Sequence, residues 1–290
     1  MMKHMPSRFV ITASVLLLII IAAPAGAADP TNESAKFDPK NFDDSTTIDN
    51  PWWPLTTGKE FISEGVNVED GEKIPHRIVC IVTDLTKVIS NVRAKVIWER
   101  DFTDDALEES ELVFFAQDKD GNVWHLGQYR EMYEGEEFAG GRAWLVGIPD
   151  GAKAGIMMPA RPQSGTPAFS EGYAPPPFHW TDSAQVYQTG QKTSVAAGDY
   201  DDVLVMEEWD QETPKGAFQL KYYARGVGIV RVGWLGPDPE REEMELIKVS
   251  QLSPERLAEA RVEALKLEER AYLYGRTAPA EPISQEAKGQ

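Results

Sequence analysis

The chain is poor in the residues that mark most active sites. Cys80 is its only cysteine, so no internal disulfide can form. It has four histidines, and His76, His125 and His179 lie far apart, without the spacing of a zinc helix or knuckle. There is no Gly-x-Ser-x-Gly elbow, no Walker loop despite Thr57-Gly58-Lys59, and no His-Glu-x-x-His. No metal and no cofactor is therefore expected. Basic residues are scarce as well, 29 against 47 acidic ones, a formal net charge of −18. Such a surface is soluble, repels anionic lipid and is a poor partner for nucleic acid.

Long apolar runs are absent beyond the N-terminus. There, Lys3 and Arg8 precede the uncharged stretch Phe9–Ala23, and the small residues Ala25-Gly26-Ala27 follow. That is the layout of a secretory signal peptide, too short for the ~20 residues of a spanning helix. Residues 1–27 are expected to be removed, leaving no stable membrane anchor and a secreted or periplasmic chain. Loss of Lys3 and Arg8 takes the net charge from −18 to −20.

Residues 28–49 are polar and rich in Asp, Asn, Ser and Thr, which reads as a flexible leader. Residues 276–290, with Pro279 and Pro282, read as a disordered tail. Between them, 50–252 carries strand signals. Val92, Ala94, Val96 and Trp98 alternate with Arg93, Lys95 and Glu99, the period of two of a half-buried strand. Glu111–Gln117 and Asn122–Gln128 flank Asp118-Lys119-Asp120-Gly121, a hairpin signal, and Phe218–Ala224 and Ile229–Trp234 flank Gly226-Val227-Gly228. Further strands are expected near Glu60–Val66, Arg77–Thr83, Ser183–Gln188, Val203–Trp209 and Met244–Val249. The fold class is mainly β, an antiparallel sheet curved into a half-barrel or barrel, lipocalin-like or lipoprotein-carrier-like. Residues 253–275 form a C-terminal α-helix: Ser253 is a good N-cap, Pro254 suits the first turn, and Ala258, Val262, Leu265 and Tyr272 make a modest apolar stripe.

Four segments carry a resemblance. Asn50-Pro51-Trp52-Trp53-Pro54-Leu55, Phe115 to Trp124, Gly155-Ile156-Met157-Met158-Pro159 and Lys221 to Gly228 are similar, in this order, to a family of secreted bacterial proteins without an assigned activity. Family members often have Pro where this chain has Arg225. The resemblance covers about Asn50 to Val249; it implies export and an all-β fold, and it transfers no catalytic residue.

Candidate sites follow from rings and carboxyls. Trp52 and Trp53, held by two prolines, are a ligand platform or a plug closing one end of the sheet, and buried aromatics favour the plug. Cys80, within Ile78–Val82, reads as an inert core thiol. Asp118, Asp120 and Asn122 miss the EF-hand order, and the acidic stretch Asp101, Asp104, Asp105, Glu108, Glu109 and Glu111 reads as solvated. Glu207, set beside Val203, Val205 and Trp209, is a candidate inward carboxyl whose neighbour Glu208 faces the other way. The expected ligand contacts are Trp124, His125, Met157, Tyr173, His179, Trp180, Glu207 and Tyr222, and no catalytic residue is assigned.

The function these features suggest is an exported, non-enzymatic binding protein for an apolar or amphipathic small molecule. One alternative is an envelope interaction or structural module that meets a protein partner through the C-terminal helix or through the proline-rich loop Tyr173–Trp180. Another is a hydrolase or isomerase, which would need Glu207 within hydrogen-bond reach of His125 or His179. Mass analysis of the exported protein should find Ala28 at its N-terminus, and Ala27→Trp should leave the uncleaved precursor; an unprocessed wild-type chain would contradict the signal reading.

Overall fold

The computed structural model describes residues 36–135, 137–272 and 277–283. The expected signal segment, the start of the leader and the end of the tail lie outside the described residues. The first strands are β1 (Lys59–Glu69), β2 (Glu72–Ile89), β3 (Val92–Thr103), β4 (Ala106–Gln117) and β5 (Val123–Glu134). Next come β6 (Glu137–Leu145), β7 (Lys153–Met158) and the two-residue β8 (Phe169–Ser170) and β9 (Gly172–Tyr173). Then follow β10 (Ser183–Val195), β11 (Gly198–Trp209), β12 (Phe218–Ala224), β13 (Gly228–Leu235) and β14 (Arg241–Gln251). Helix α1 (Pro254–Tyr272) and β15 (Glu281–Pro282) end the described fold.

These strands form one antiparallel sheet in the order β8-β10-β11-β12-β13-β14-β1-β2-β3-β4-β5-β7-β9, with β6 on β5 and β15 on β2. The mainly β architecture with a C-terminal helix is as expected. Tight turns make it a meander: Asp70-Gly71, Ser90-Asn91 and Asp104-Asp105 each hold two residues at positive φ, the conformation of two-residue hairpins whose twist matches the flanking strands. Asp104 and Asp105 of the acidic stretch are thus a turn. The sheet curls without a closed hydrogen-bond path, and its two ends, β8 and β9, are separated only by Glu171.

The curl creates two layers. On the concave side Val82, Ile97, Val113, Phe115, Met157, Leu204, Met206 and Tyr223 pack together, joining strands from both halves of the sheet. On the convex side Ile81, Val96, Trp98, Leu112, Phe114 and Leu126 pack against α1. The strand β3 is therefore buried on both faces: Ala94 and Val96 face outward to the helix, while Lys95 and Ile97 face inward, all at most 4 % exposed. The expectation of a half-buried β3 with a solvated charged face is corrected here, because the helix covers the apolar side and the curl encloses the charged one.

Ser253 Oγ caps α1 by accepting from the Arg256 amide at 3.3 Å. The buried stripe is Ala260, Ala264, Leu267 and Ala271, small residues that let the helix lie close to the sheet. The expected stripe is displaced around the helix, and Val262 is exposed. Three ion pairs clamp α1 down: Arg261 to Asp84, Lys87 to Glu268 at 2.6 Å, and Arg270 to the fully buried Glu131. Thr277–Ile283, expected to be disordered, instead returns over β2; Glu281 and Pro282 pair with Thr86 and Leu85, and the Ala280 amide donates to Glu268. The leader is also anchored where described: Phe37 and Phe42 meet Trp124 with ring centroids 5.7 and 6.1 Å apart, and Ile48 is buried.

Lys87 and Glu268 are both buried, so removing one partner strands a charge. Glu268→Ala should destabilise the fold by about 3–5 kcal/mol in urea denaturation, whereas Lys87→Met with Glu268→Met should cost far less. Equal losses in the two variants would show that the pair acts through packing alone.

Candidate functional site

The Asn50–Leu55 segment crosses one end of the curled sheet. The Asn50 side-chain amide donates to the Gly121 and Pro159 carbonyls at 2.9 and 3.1 Å, and its oxygen accepts from the Trp52 amide at 2.9 Å. Trp52 is buried under the Arg225 guanidinium, 4.0 Å from the ring centroid, and Arg225 pairs with Asp202 at 2.8 Å. Trp53 points the other way and packs on Phe115 and Tyr223 with ring centroids 5.4 and 5.8 Å apart. The plug closes this end, and its inner ring is the floor of a cavity.

That cavity has a volume of about 310 Å³. Its two halves differ because strand register stacks like residues in rows. Val82 pairs with Ile97, Ile97 with Val113 and Val113 with Gln128; the next row toward the far end is Cys80, Glu99, Glu111 and Arg130. Trp53, Leu55, Phe115, Met157 and Ile229 line the plug end, and Glu99, Glu111, Gln128, Arg130, Gln219 and Glu242 also line the cavity. Glu99 and Glu111 are directly opposed across two strands, a like-charge placement that costs stability when both ionise.

The polar row is tightly wired. Glu111 Oε2 accepts from Gln128 Nε2 at 2.9 Å and Arg130 Nε at 3.2 Å, and Arg130 also pairs with Glu109. His76 bridges Asp101 at 3.2 Å and Glu242 at 3.0 Å. Burial, with Glu111, Asp101 and Glu242 nearby, pushes the Glu99 carboxyl up to about 8. Burial also raises Asp101 to about 7 against the pull of His76. Cys80 borders the cavity, and burial beside Glu99 and Glu111 pushes its thiol up, so it stays protonated.

His125 is aimed inward by a break in β5. Gly127, at φ +139°, sits where an added Cβ would lie 2.3 Å from the Trp144 carbonyl oxygen, and the β4–β5 register slips beside it. The slip puts His125 on the same side as Gln128 and Arg130, against strict alternation. Its Nδ1 lies 3.2 Å from the Glu171 carbonyl, so Nδ1 donates and Nε2 is a bare acceptor without a partner among the described residues. Burial holds this imidazole down to about 4, hence neutral. Phe115, Trp144 and Trp180 surround it.

Beside His125, Glu171 stands at the seam between β8 and β9. Its carboxyl is buried without a partner among the described residues, and burial with Glu208 nearby raises it well above the carboxylate range while Lys221 opposes. Lys221 pairs with Glu208 at 2.5 Å and lines the cavity; against burial, Glu208 and Glu171 keep it charged.

Of the expected contacts, His125, Met157 and Trp180 line the cavity. Trp124 does not: its indole donates to Asp118 Oδ2 at 2.8 Å and packs on the convex side. Asp118 also accepts from the Asp120 and Asn122 amides, so it organises the turn. Tyr173 is exposed, and His179 lies at φ +60° near Glu212, 3.5 Å away, while Trp180 of the same loop turns inward. Glu207 and Tyr222 face outward with Val205 and Leu220; Glu207 is bonded to Gln185. Their neighbours Glu208, Lys221 and Tyr223 take the inner positions, so the inward carboxyl is Glu208. The expected contacts are one residue out of phase on β11 and β12 because alternation names two faces without saying which is enclosed. Neither His125 nor His179 is hydrogen-bonded to Glu207, the contact a Glu–His enzyme would need. Among the described residues no group of three or more His, Cys, Asp or Glu could hold a metal ion.

The raised carboxyls fix the sign of a pH dependence. From about pH 6.5 to 8, folded Glu99, Asp101 and Asp182, the last also held near 7 chiefly by burial, keep protons the unfolded chain has released. Stability therefore falls as pH rises through that window. His125, depressed to about 4, has the opposite slope only below its ordinary 6.5. The urea midpoint should be lower at pH 8 than at pH 6.5, with a smaller drop in Glu99→Gln; a midpoint that rises would contradict the inward carboxyls.

No family model and no curated protein matches the chain. Among solved structures it is similar to a candidate exported protein with YmcC-like fold from Bacteroides fragilis, at TM-score 0.36 and 13 % identity over 69 % of this chain and 98 % of that one. A candidate lipoprotein from Parabacteroides distasonis gives TM-score 0.32 and 12 % identity over 72 % of this chain and all of its own.

Proposed function

We propose that this chain is an exported, non-enzymatic binding protein for an amphipathic small molecule. The cavity carries this reading: about 310 Å³ lies between an apolar floor at Trp53 and a charged row at Glu99, Glu111 and Arg130. That volume is at the lower end of ligand pockets and equals the liquid volume of about ten waters. A ligand of about ten to fifteen non-hydrogen atoms would fit. Export rests on the N-terminal signal pattern, and no helix among the described residues is long and apolar enough to cross a membrane.

The binding reading is favoured over catalysis because both cations of the cavity and the carboxyls of Glu111 and Glu242 are committed to ion pairs. Arg130 is held by Glu109 and Glu111, Lys221 by Glu208, and Glu242 by His76. A protein partner on α1 is less well supported, since the helix turns its apolar stripe to its own sheet and, among the described residues, Val262 is its one exposed large apolar side chain.

Native mass spectrometry of the protein purified from its own envelope or medium should show a retained small molecule. Val113→Trp, which fills the cavity from its apolar half, should abolish retention while preserving the far-ultraviolet dichroism of the sheet. A wild-type protein that is ligand-free and takes up no C10 amphiphile at millimolar concentration would overturn the reading.

A further inference from the structure

The headgroup such a ligand carries can be read from the groups of the cavity that form no ion pair. Three carboxyls line it, Glu99, Glu111 and Glu242. Two cations line it as well, but Arg130 is bound to Glu109 and Glu111, and Lys221 to Glu208, which lies outside the lining. Glu99 forms no ion pair among the described residues. It faces Cys80 on β2, Glu111 on β4, Asp101 on its own strand and Glu242 on β14, with Lys221 of β12 and Arg130 of β5 as the nearby cations. The hydrogen-bond partner of Glu99 is the Cys80 thiol, a weak donor. The unpaired group is His125 Nε2, a buried acceptor on the cavity wall that can only receive a proton donor. Aromatic faces complete the wall at Trp53, Phe61, Phe115 and Trp180.

Each of these features selects against an anion. A carboxylate or phosphate headgroup would enter beside the ion-paired carboxyls of Glu111 and Glu242 and find both cations already neutralised. A neutral alcohol could donate one hydrogen bond and leave Glu99 uncharged. An ammonium group donates several hydrogen bonds, neutralises an ionised Glu99 and is attracted to aromatic faces.

We propose, building on the ligand-binding reading above, that the cavity takes an organic ammonium compound, its cationic head beside Glu99 and Glu242 and its apolar body on the Trp53–Phe115 floor. Glu99 is then the specificity-determining residue. Because its carboxyl is held up to about 8 in the empty protein, it is mostly protonated at pH 7 and must lose that proton as the ammonium arrives. The proton leaves to solvent, and the ammonium keeps all of its own.

Titration calorimetry of the mature full chain at pH 7 with decylamine, 1-decanol and decanoate tests this directly. Decylamine should bind ~10-fold or more tighter than 1-decanol, with decanoate weakest, as expected for a desolvated ion pair with ring contacts. Its apparent enthalpy should vary with the ionisation enthalpy of the buffer, reporting close to one proton released. Glu99→Gln, nearly isosteric with the protonated acid, should lose both the amine preference and the proton release and keep its affinity for 1-decanol. If that variant fails to fold, Glu242→Gln should reduce the preference in the same direction. Equal affinity for amine and alcohol, or a preference that survives Glu99→Gln, would overturn the ammonium assignment while leaving the binding reading intact. Binding of none of the three would overturn both.

Discussion

Everything in this protein depends on the burial of one sheet from both sides. Strands β2 to β5 alternate an apolar set with a mixed, charged set, and in water the charged set would face out. Here α1 occupies the apolar side, with Ala260, Ala264 and Leu267 against Ile81, Val96 and Leu112. The other side curls around the plug, so Lys95, Glu99 and Glu111 are carried inside with Ile97 and Val113. The ion pairs of Asp84, Lys87 and Glu131 with α1 hold the cover in place and supply direction where alanine supplies only closeness.

The enclosed charges explain both the electrostatics and the shape of the cavity. A carboxyl such as Glu99 is buried away from bulk water, and its cross-strand neighbour is another carboxyl, so its proton is held. Each strand contributes one residue to each row, which turns the register of the hairpins into a gradient from Trp53 to Glu242. An interior packed with side chains from both walls would have had no such gradient. At its charged end Glu111 and Arg130 order one another.

Much of the architecture was legible in the chain. The expected strands are all present and most extend further, Phe218–Ala224 with the expected bounds, since hairpin signals such as Asp118 to Gly121 act locally. The plug was legible because two prolines and two indoles in six residues leave little else to do. Strands β6 to β9 and β15 were not foreseen. They are short, rich in Gly or Pro, or polar; β6 folds back on its sequence neighbour β5, and β7, β9 and β15 exist by pairing with segments distant in sequence. The leader and tail misled for the same reason, since Phe37, Ile48 and Pro282 are ordered by a surface formed elsewhere.

The lining of the candidate cavity was legible in part by residue type and misplaced in phase on β11 and β12. His125, Met157 and Trp180 were identified because a ring or thioether near a loop has an obvious use. Glu207 and Tyr222 were chosen where Glu208, Lys221 and Tyr223 line or adjoin the interior. By itself the sequence determined the strand periods, the turns, the capped helix and the net negative charge, all of which arise from neighbours along the chain. Only the tertiary structure decided which of two alternating faces is enclosed, because that depends on where α1 lies and on a slip at Gly127 that reverses the parity of β5. A one-residue difference in phase exchanges solvent for cavity, and no local interaction records it.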